Sequence, residues 1–265
     1  MSVWSIEDLH KSLVLLGIKS DSNVFIHANL GLLGRSNFAI NQVPSAILSK
    51  IEGIIGKSGL ICLPAFTYSA GRREIYKPYT SQGLHEMGSL SLEAYARSYM
   101  RSMDPMFSVL CYGNKSLELF KGLGNSSFGP KSFFERATDM NFRMLLFCVG
   151  CGTTFLHEIE RQIGVIYRSE KNFSYEIQKT ENAPIFSSTW KSYVRDLEDI
   201  DTEADFRLLS TEFIKHPNVR TVQLGKGYII SYELDTLKEF VYSKLITNPW
   251  YLIKKGHKDL ETGHI

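Results

Sequence analysis

The sequence predicts an α/β fold: a single three-layer-like domain with a central mixed sheet flanked by helices. Three observations carry that expectation. Helical and strand periodicities alternate through the first 150 residues, which reads as βαβ packing. A late apolar stretch, residues 219–232, reads as a hairpin turning at Gly225-Lys226-Gly227. No internal repeat, low-complexity tract or long linker divides the 265 residues into independent units.

Taken in order, an amphipathic helix is expected over 5–16, a strand over 23–28, a helix over 42–55 and a strand over 60–64. A loop rich in Gly, Tyr and basic residues covers 68–88. A helix over 91–100, a strand over 107–112 and a short helix near 115–120 follow, and a strand over 143–149 closes this half. Thr153 and Thr154 stand where a threonine oxygen can cap a helix over 155–164. Beyond it, 171–178 and 185–196 read as extended, 203–215 as helical, and 234–246 as a final helix ending before Asn248-Pro249. Residues 1–265 are thus expected to form one domain, with 1–165 as the core that carries the chemistry and 166–265 as a completing half.

Composition excludes several classes. A 43% hydrophobic and 22% charged chain is ordinary for a globular protein, and a formal charge of +2 without a basic block gives no case for nucleic acid. The longest apolar runs fall far short of the roughly 20 residues that span a bilayer, so no membrane partner is expected. The acidic, amphipathic N-terminus is unlike a signal peptide, and a cytoplasmic location is the expectation. Cys62, Cys111, Cys148 and Cys151 sit in or beside apolar segments, as buried free thiols do.

Familiar motifs fail on inspection. Gly56-Lys57-Ser58 lacks the leading glycine of a phosphate loop, since position 51 is Ile51. His157-Glu158 lacks the second histidine of a zinc-protease helix, because Arg161 occupies that place. Cys148 and Cys151 have redox spacing but no second pair. Gly122, Gly124 and Gly129 do not fit the dinucleotide pattern, and there is no Gly-x-Ser-x-Gly elbow. What remains is His157 at the start of a helix directly after an apolar strand, where catalytic groups gather. Its ring titrates near neutrality, and a carboxylate accepting one ring N–H would fix its tautomer. Glu160, three residues on and on the same helix face, Glu158 and the more distant Glu93 are the candidates.

Four segments then bear on function: Val24-Phe25-Ile26-His27-Ala28-Asn29-Leu30-Gly31; Gly59 to Thr67 through Pro64; Gly88, Glu93, Arg97, Arg101-Ser102, Asp104-Pro105 and Ser108; and Thr154-Phe155-Leu156-His157 with Glu160. In this order they resemble the aminoglycoside 3-N-acetyltransferase family, which is distinct from the GNAT acetyltransferases. Phe128-Gly129-Pro130-Lys131-Ser132 and the late hairpin agree, so the resemblance spans nearly the whole chain. It implies that family's fold and transfer of an acetyl group from acetyl-CoA to an amine, without a metal. It further implies His157 as base, Glu93 as its carboxylate partner and Glu160 beside it. Coenzyme contacts would fall at His27, Ala28, Asn29, Leu30, Arg101, Ser102, Ser108, Phe128 and Ser132. Asn29, Ala65 and Asp104 depart from the family's residues, which puts the contacts at Asn29 and Asp104 in doubt.

The acceptor is a separate question. Aminoglycosides are polycations and favour an acidic cleft, whereas this chain is not acidic overall. The loop after Thr67 offers Tyr68, Arg72, Arg73 and Lys77, which suit phosphates and a stacked ring, and Asp104 completes the expected acceptor set. The expectation is a small-molecule amino-sugar acceptor, nucleotide-linked and used in surface polysaccharide synthesis. The alternatives are an aminoglycoside antibiotic and, in another class, a catalytically silent CoA- or sugar-binding protein. Cys151 stays as a minor alternative nucleophile, and a homodimer is the default for a soluble enzyme.

Overall fold

The computed structural model describes residues 3–67 and 72–261. From edge to edge the main sheet runs β3 (Met100–Arg101), β4 (Val109–Tyr112), β2 (Leu60–Pro64), β1 (Asn23–Ala28), β5 (Arg143–Phe147), β9 (Gly227–Glu233) and β8 (Arg220–Leu224). β1 lies parallel to β2 and β5, and the outer pairs are antiparallel, so the sheet is mixed as the sequence predicts. The C-terminal ends of the three parallel strands, at Ala28, Pro64 and Phe147, therefore open on one edge, where α/β folds place their sites.

Both faces of this sheet are covered, and the alternation along the central strands shows how. Phe25, Leu60, Cys62, Met144 and Leu146 point into one apolar cluster; Val24, Ile26, Ile61, Leu63, Leu145 and Phe147 point into the other. The second face is covered by α1 (Ile6–Leu15), α2 (Val43–Ile55) and α4 (Ser89–Ala96), which insert Leu9, Leu13, Ile47, Ile51, Leu90 and Ala94. The first is covered by α5 (Ser116–Phe120), α6 (Phe133–Asp139), α7 (Phe155–Ile163), α8 (Arg207–Phe213) and α9 (Leu234–Thr247). Local chemistry starts these helices. Ser5 and Asp8 form a reciprocal capping box on α1, and Pro44 occupies the first turn of α2.

Four short elements lie outside the sequence expectation: β3, α3 (Leu84–Met87), α6 and α10 (Lys254–Glu261). For α6 the signal was present, since Ser132 accepts the Glu135 N–H at 3.0 Å and caps it. The expected helix over 91–100 ends at Ala96, because Ser98 turns left-handed at φ 60°. The helix expected over 203–215 shortens to α8, preceded by a 3₁₀ turn over Ile200–Thr202 and by Asp205 accepting the Arg207 N–H at 3.0 Å. The proposed threonine cap of α7 does not form: Thr154 is already helical and its side chain caps nothing. One glycine is obligatory. Gly113 has φ 117°, and a Cβ there would lie 2.2 Å from the Gly59 carbonyl oxygen.

A long hairpin, β6 (Arg168–Ile177) and β7 (Phe186–Arg195), stands outside the main sheet. Backbone bridges at Tyr76–Ile177 and Ser126–Lys191 hold its two edges. Tyr76, Tyr175, Ile177 and Trp190 pack a small core beneath it. The hairpin is thereby fixed beside β3 and the segment leading to α6.

Candidate active site

His157 lies in the first turn of α7, which follows β5 at the open edge of the sheet. Its Nδ1 is 2.8 Å from Oε2 of Glu160, and its side chain is 19% exposed while that carboxylate is fully buried. The Tyr167 hydroxyl donates to Oε1 of Glu160 at 2.9 Å. Arg168 Nε approaches Oε2 to 2.7 Å, though off the line a hydrogen bond requires. An ionised carboxylate accepts from Nδ1–H, which leaves the neutral ring's lone pair on Nε2. The imidazole and the Phe128 ring meet nearly at right angles, with centroids 5.6 Å apart. Burial and the Arg168 charge push the ring's pKa below 6.5 despite the opposing pull of Glu160, so the ring is neutral and basic near pH 7.

Glu93 does not partner His157. It sits on α4, on the opposite face of the sheet, where it accepts from Arg97 Nε at 2.8 Å. Arg97 also grips Glu52 at 3.0 Å, and Tyr99 donates to the same Glu52 carboxylate, so the cluster clamps α2 to α4. Glu158 is buried as well, but its carboxylate receives the Gly129 N–H at 2.6 Å and Arg161 at 3.0 Å instead of His157. Sequence reasoning gave no role to Tyr167 or Arg168. The signal available was their place just past the helix that carries His157 and Glu160.

Of the residues expected to contact the coenzyme, several are committed to the protein. Arg101 donates to the Ser108 hydroxyl, and to the carbonyls of Thr80, Ala65 and Gln82 at 2.9, 2.6 and 2.8 Å, with its guanidinium 5.5 Å from the Tyr76 ring. Ser102 accepts the Val109 N–H at 2.9 Å, and Ser108 donates to the Ala65 carbonyl. Phe128 is packed against Phe107 and Phe134, and Ser132 caps α6. Arg101 and Ser108 turn their donors into the protein, and Ser102 and Ser132 accept backbone N–H groups. At the end of β1, Ala28 and Leu30 are partly buried and Asn29 is exposed, its N–H donating to the Phe147 carbonyl at 2.8 Å.

His27 shares that strand end. Its ring packs on Phe25 with centroids 5.2 Å apart, and Nε2 is 3.5 Å from the Thr153 hydroxyl. Burial pushes its pKa from 6.5 down to about 4. The unfolded chain binds a proton below about 6.5 that the folded chain refuses until about 4, so stability falls as pH drops through that window. The expected loss is about 3 kcal/mol. Urea midpoints at pH 7 and pH 4.5 should separate more for the native chain than for His27→Asn.

Among the acceptor residues, Thr67 is buried and donates to the Pro105 carbonyl, and Tyr68 lies outside the described residues. Arg72 is ion-paired with Glu86 and half exposed, and Arg73 is exposed. Asp104 accepts the N–H groups of Met106 and Phe107 at 2.8 and 2.9 Å, and its burial raises its pKa. A cleft of about 440 Å³ opens between β3, the 120–126 segment and the hairpin. Arg101, Asp104, Lys179, Ser188 and Trp190 line it, and His157 does not. Lys179, Arg101 and Met103 also border an adjoining hollow with Tyr79, Tyr95 and Tyr99.

The cysteines are structural. Cys148 and Cys151 belong to opposite cores, and burial holds the Cys151 thiol near 11, which disqualifies it as a nucleophile at neutral pH. Cys62 and Cys111 face each other across β2 and β4 with sulfurs 3.4 Å apart. Among the described residues no group of three or more His, Cys, Asp or Glu side chains is placed to hold a metal. No described helix is long and apolar enough to cross a membrane.

The family model described as aminoglycoside 3-N-acetyltransferase matches residues 25–245. Solved structures share the fold at low identity. YokD from Bacillus subtilis superposes with a TM-score of 0.74 at 14% identity, over 94% of this chain and 96% of its own. AAC-IIIb, solved in binary complex with CoASH, gives 0.75 at 16% identity, over 92% and 97%. A histidine-to-alanine form of the aminoglycoside acetyltransferase AAC(3)-IVa, in complex with a gentamicin, gives 0.74 at 17%, over 95% and 92%. Comparison with curated proteins finds no significant match.

Proposed function

Because the chain belongs to the aminoglycoside 3-N-acetyltransferase family, a family of N-acetyltransferases, we propose that it moves an acetyl group from acetyl-CoA to an amine of a sugar, with His157 as the base. The observation that carries this reading is the buried Glu160 carboxylate fixing Nδ1 of a partly exposed, neutral His157. A protonated amine cannot attack a thioester. Nε2 takes its proton, the freed nitrogen attacks the acetyl carbonyl, and the thiolate leaves. No acyl-enzyme is needed, since Cys151 is buried and held as a thiol.

For the acceptor, a nucleotide-linked amino sugar remains the preferred reading, with its support moved. The loop cation Arg72 is neutralised by Glu86, so the case now rests on the cleft. Its lining carries the cation Lys179; Arg101 and Asp104 line it too, with Arg101's donors spent on three carbonyls and a hydroxyl and Asp104 accepting two backbone N–H groups. Such a surface suits a phosphate-bearing ligand and does not suit a polycation. Acetyl-CoA shares that phosphate chemistry, and a free amino sugar offers none. The aminoglycoside reading rests on the family and on the gentamicin bound by AAC(3)-IVa.

The test is thiol release from acetyl-CoA with a panel of amines. Turnover fastest with a nucleotide-linked amino sugar supports the proposal. Turnover confined to aminoglycosides overturns the acceptor, and no release above background with any amine overturns the enzyme.

A further inference from the structure

Glu160 is a fully buried carboxylate whose side-chain neighbours among the described residues are His157, Tyr167 and Arg168, and of these Arg168 carries a permanent charge. That neighbour is Arg168, the first residue of β6, whose side chain is 6% exposed. Its Nε lies 2.7 Å from Oε2, without the alignment of a hydrogen bond, so what it supplies is mainly charge. We propose that Arg168 is a positioning residue of the acetyl transfer: its guanidinium is the counter-charge of the buried Glu160 carboxylate, and so keeps the His157 proton on Nδ1 and the reactive lone pair on Nε2. This rests on the reading of His157 as base.

A carboxyl group removed from water without a cation gains stability by taking a proton. A protonated Glu160 would donate to Nδ1, the ring proton would move to Nε2, and the face meant for the amine would present an N–H instead of a lone pair. Alternatively the ring itself would take the proton and balance the carboxylate as imidazolium, with no capacity left to act as a base. A fixed cation beside Oε2 removes the need for either. The same cation opposes protonation of His157, in line with the direction of its shift.

The other groups around the ring do not substitute for it. Tyr167 is neutral and holds Oε1. From β7, Tyr193 turns its hydroxyl to the Val165 carbonyl at 3.0 Å. From β1, His27 faces the Thr153 hydroxyl at 3.5 Å and is itself neutral near pH 7. On α7, Arg161 is paired with Glu158 at 3.0 Å. Phe128 covers the ring with an apolar surface.

The experiment is the pH dependence of kcat/KM for the native chain, Arg168→Gln and Arg168→Lys, together with NMR titration of the His157 ring assigned through His157→Gln. In Arg168→Gln the acid limb should move up by roughly one pH unit, the scale of a neighbouring charge. Arg168→Lys, which keeps the cation, should leave the limb in place. In the native chain the ring should titrate below 6.5. A limb unmoved in Arg168→Gln, or a native ring titrating above that value, overturns the proposal. Should Arg168→Gln fail to fold, the native titration and Arg168→Lys decide it. Full activity of His157→Gln would defeat the base reading instead, while native-chain and Arg168→Gln ring titrations still report the effect of Arg168.

Discussion

His157→Ala should lower kcat by about 10² to 10⁴-fold, the range general-base catalysis contributes. The loss should fall on kcat, with KM for acetyl-CoA nearly unchanged, because proton removal matters in the transition state and not in ground-state binding. Folding should survive, since the ring is 19% exposed and its main contacts are one carboxylate and the Phe128 ring. Initial rates of thiol release at saturating acceptor, with circular dichroism as the control for folding, check this. A variant within a few-fold of the native rate would show that some other group takes the proton.

Glu160→Gln should cost both stability and rate. Glutamine keeps the shape and can still accept from Tyr167, but it leaves Arg168 as a cation with a 6% exposed side chain and no counter-charge. Breaking a buried pair from one side costs about 3–5 kcal/mol. The amide also lacks the charge that fixes the His157 tautomer, so kcat should drop by about 10²-fold or more. Glu93→Gln is the matched control. Glu93 is 26% exposed and bonded to Arg97, so its loss should cost about 1 kcal/mol or less and leave kcat alone. Urea denaturation and steady-state kinetics on the two variants together separate the roles. Equal stability of Glu160→Gln and the native chain would mean that Arg168 does not depend on Glu160.

The contrast between these two glutamates shows how far the sequence carries. Short continuous apolar runs marked β1, β2 and β5, because both faces of those strands are buried. His157 and Glu160 were legible as a pair because a helix puts residues three apart on one face. The pairing of Glu93 with His157 came from resemblance, and an ordered set of similar segments does not say which side of a sheet a helix covers. The spacing of Glu93 and Arg97, four apart on one helix, held the better clue. Tyr167 and Arg168 were hidden because they reach Glu160 only after the chain turns at Gly164, in left-handed conformation at φ 77°, and starts a new strand. Arg101 was expected at the coenzyme from the family resemblance, whereas its donors are spent on three carbonyls and a hydroxyl. A sequence displays a side chain's donors and not their commitments.

The order of strands in the sheet also sets a timetable for synthesis. β1 sits at the centre with β2 on one side and β5 on the other, so its second neighbour does not exist until residue 147 has been made. β5 in turn waits for β9, which ends at residue 233. A nascent chain therefore carries an apolar strand with an open edge through most of its translation, roughly 10–40 seconds at roughly 5–20 residues per second. Contacts so distant in sequence close slowly. Yield in a cell should thus respond to chaperone supply and growth temperature more than to the stability of the finished protein.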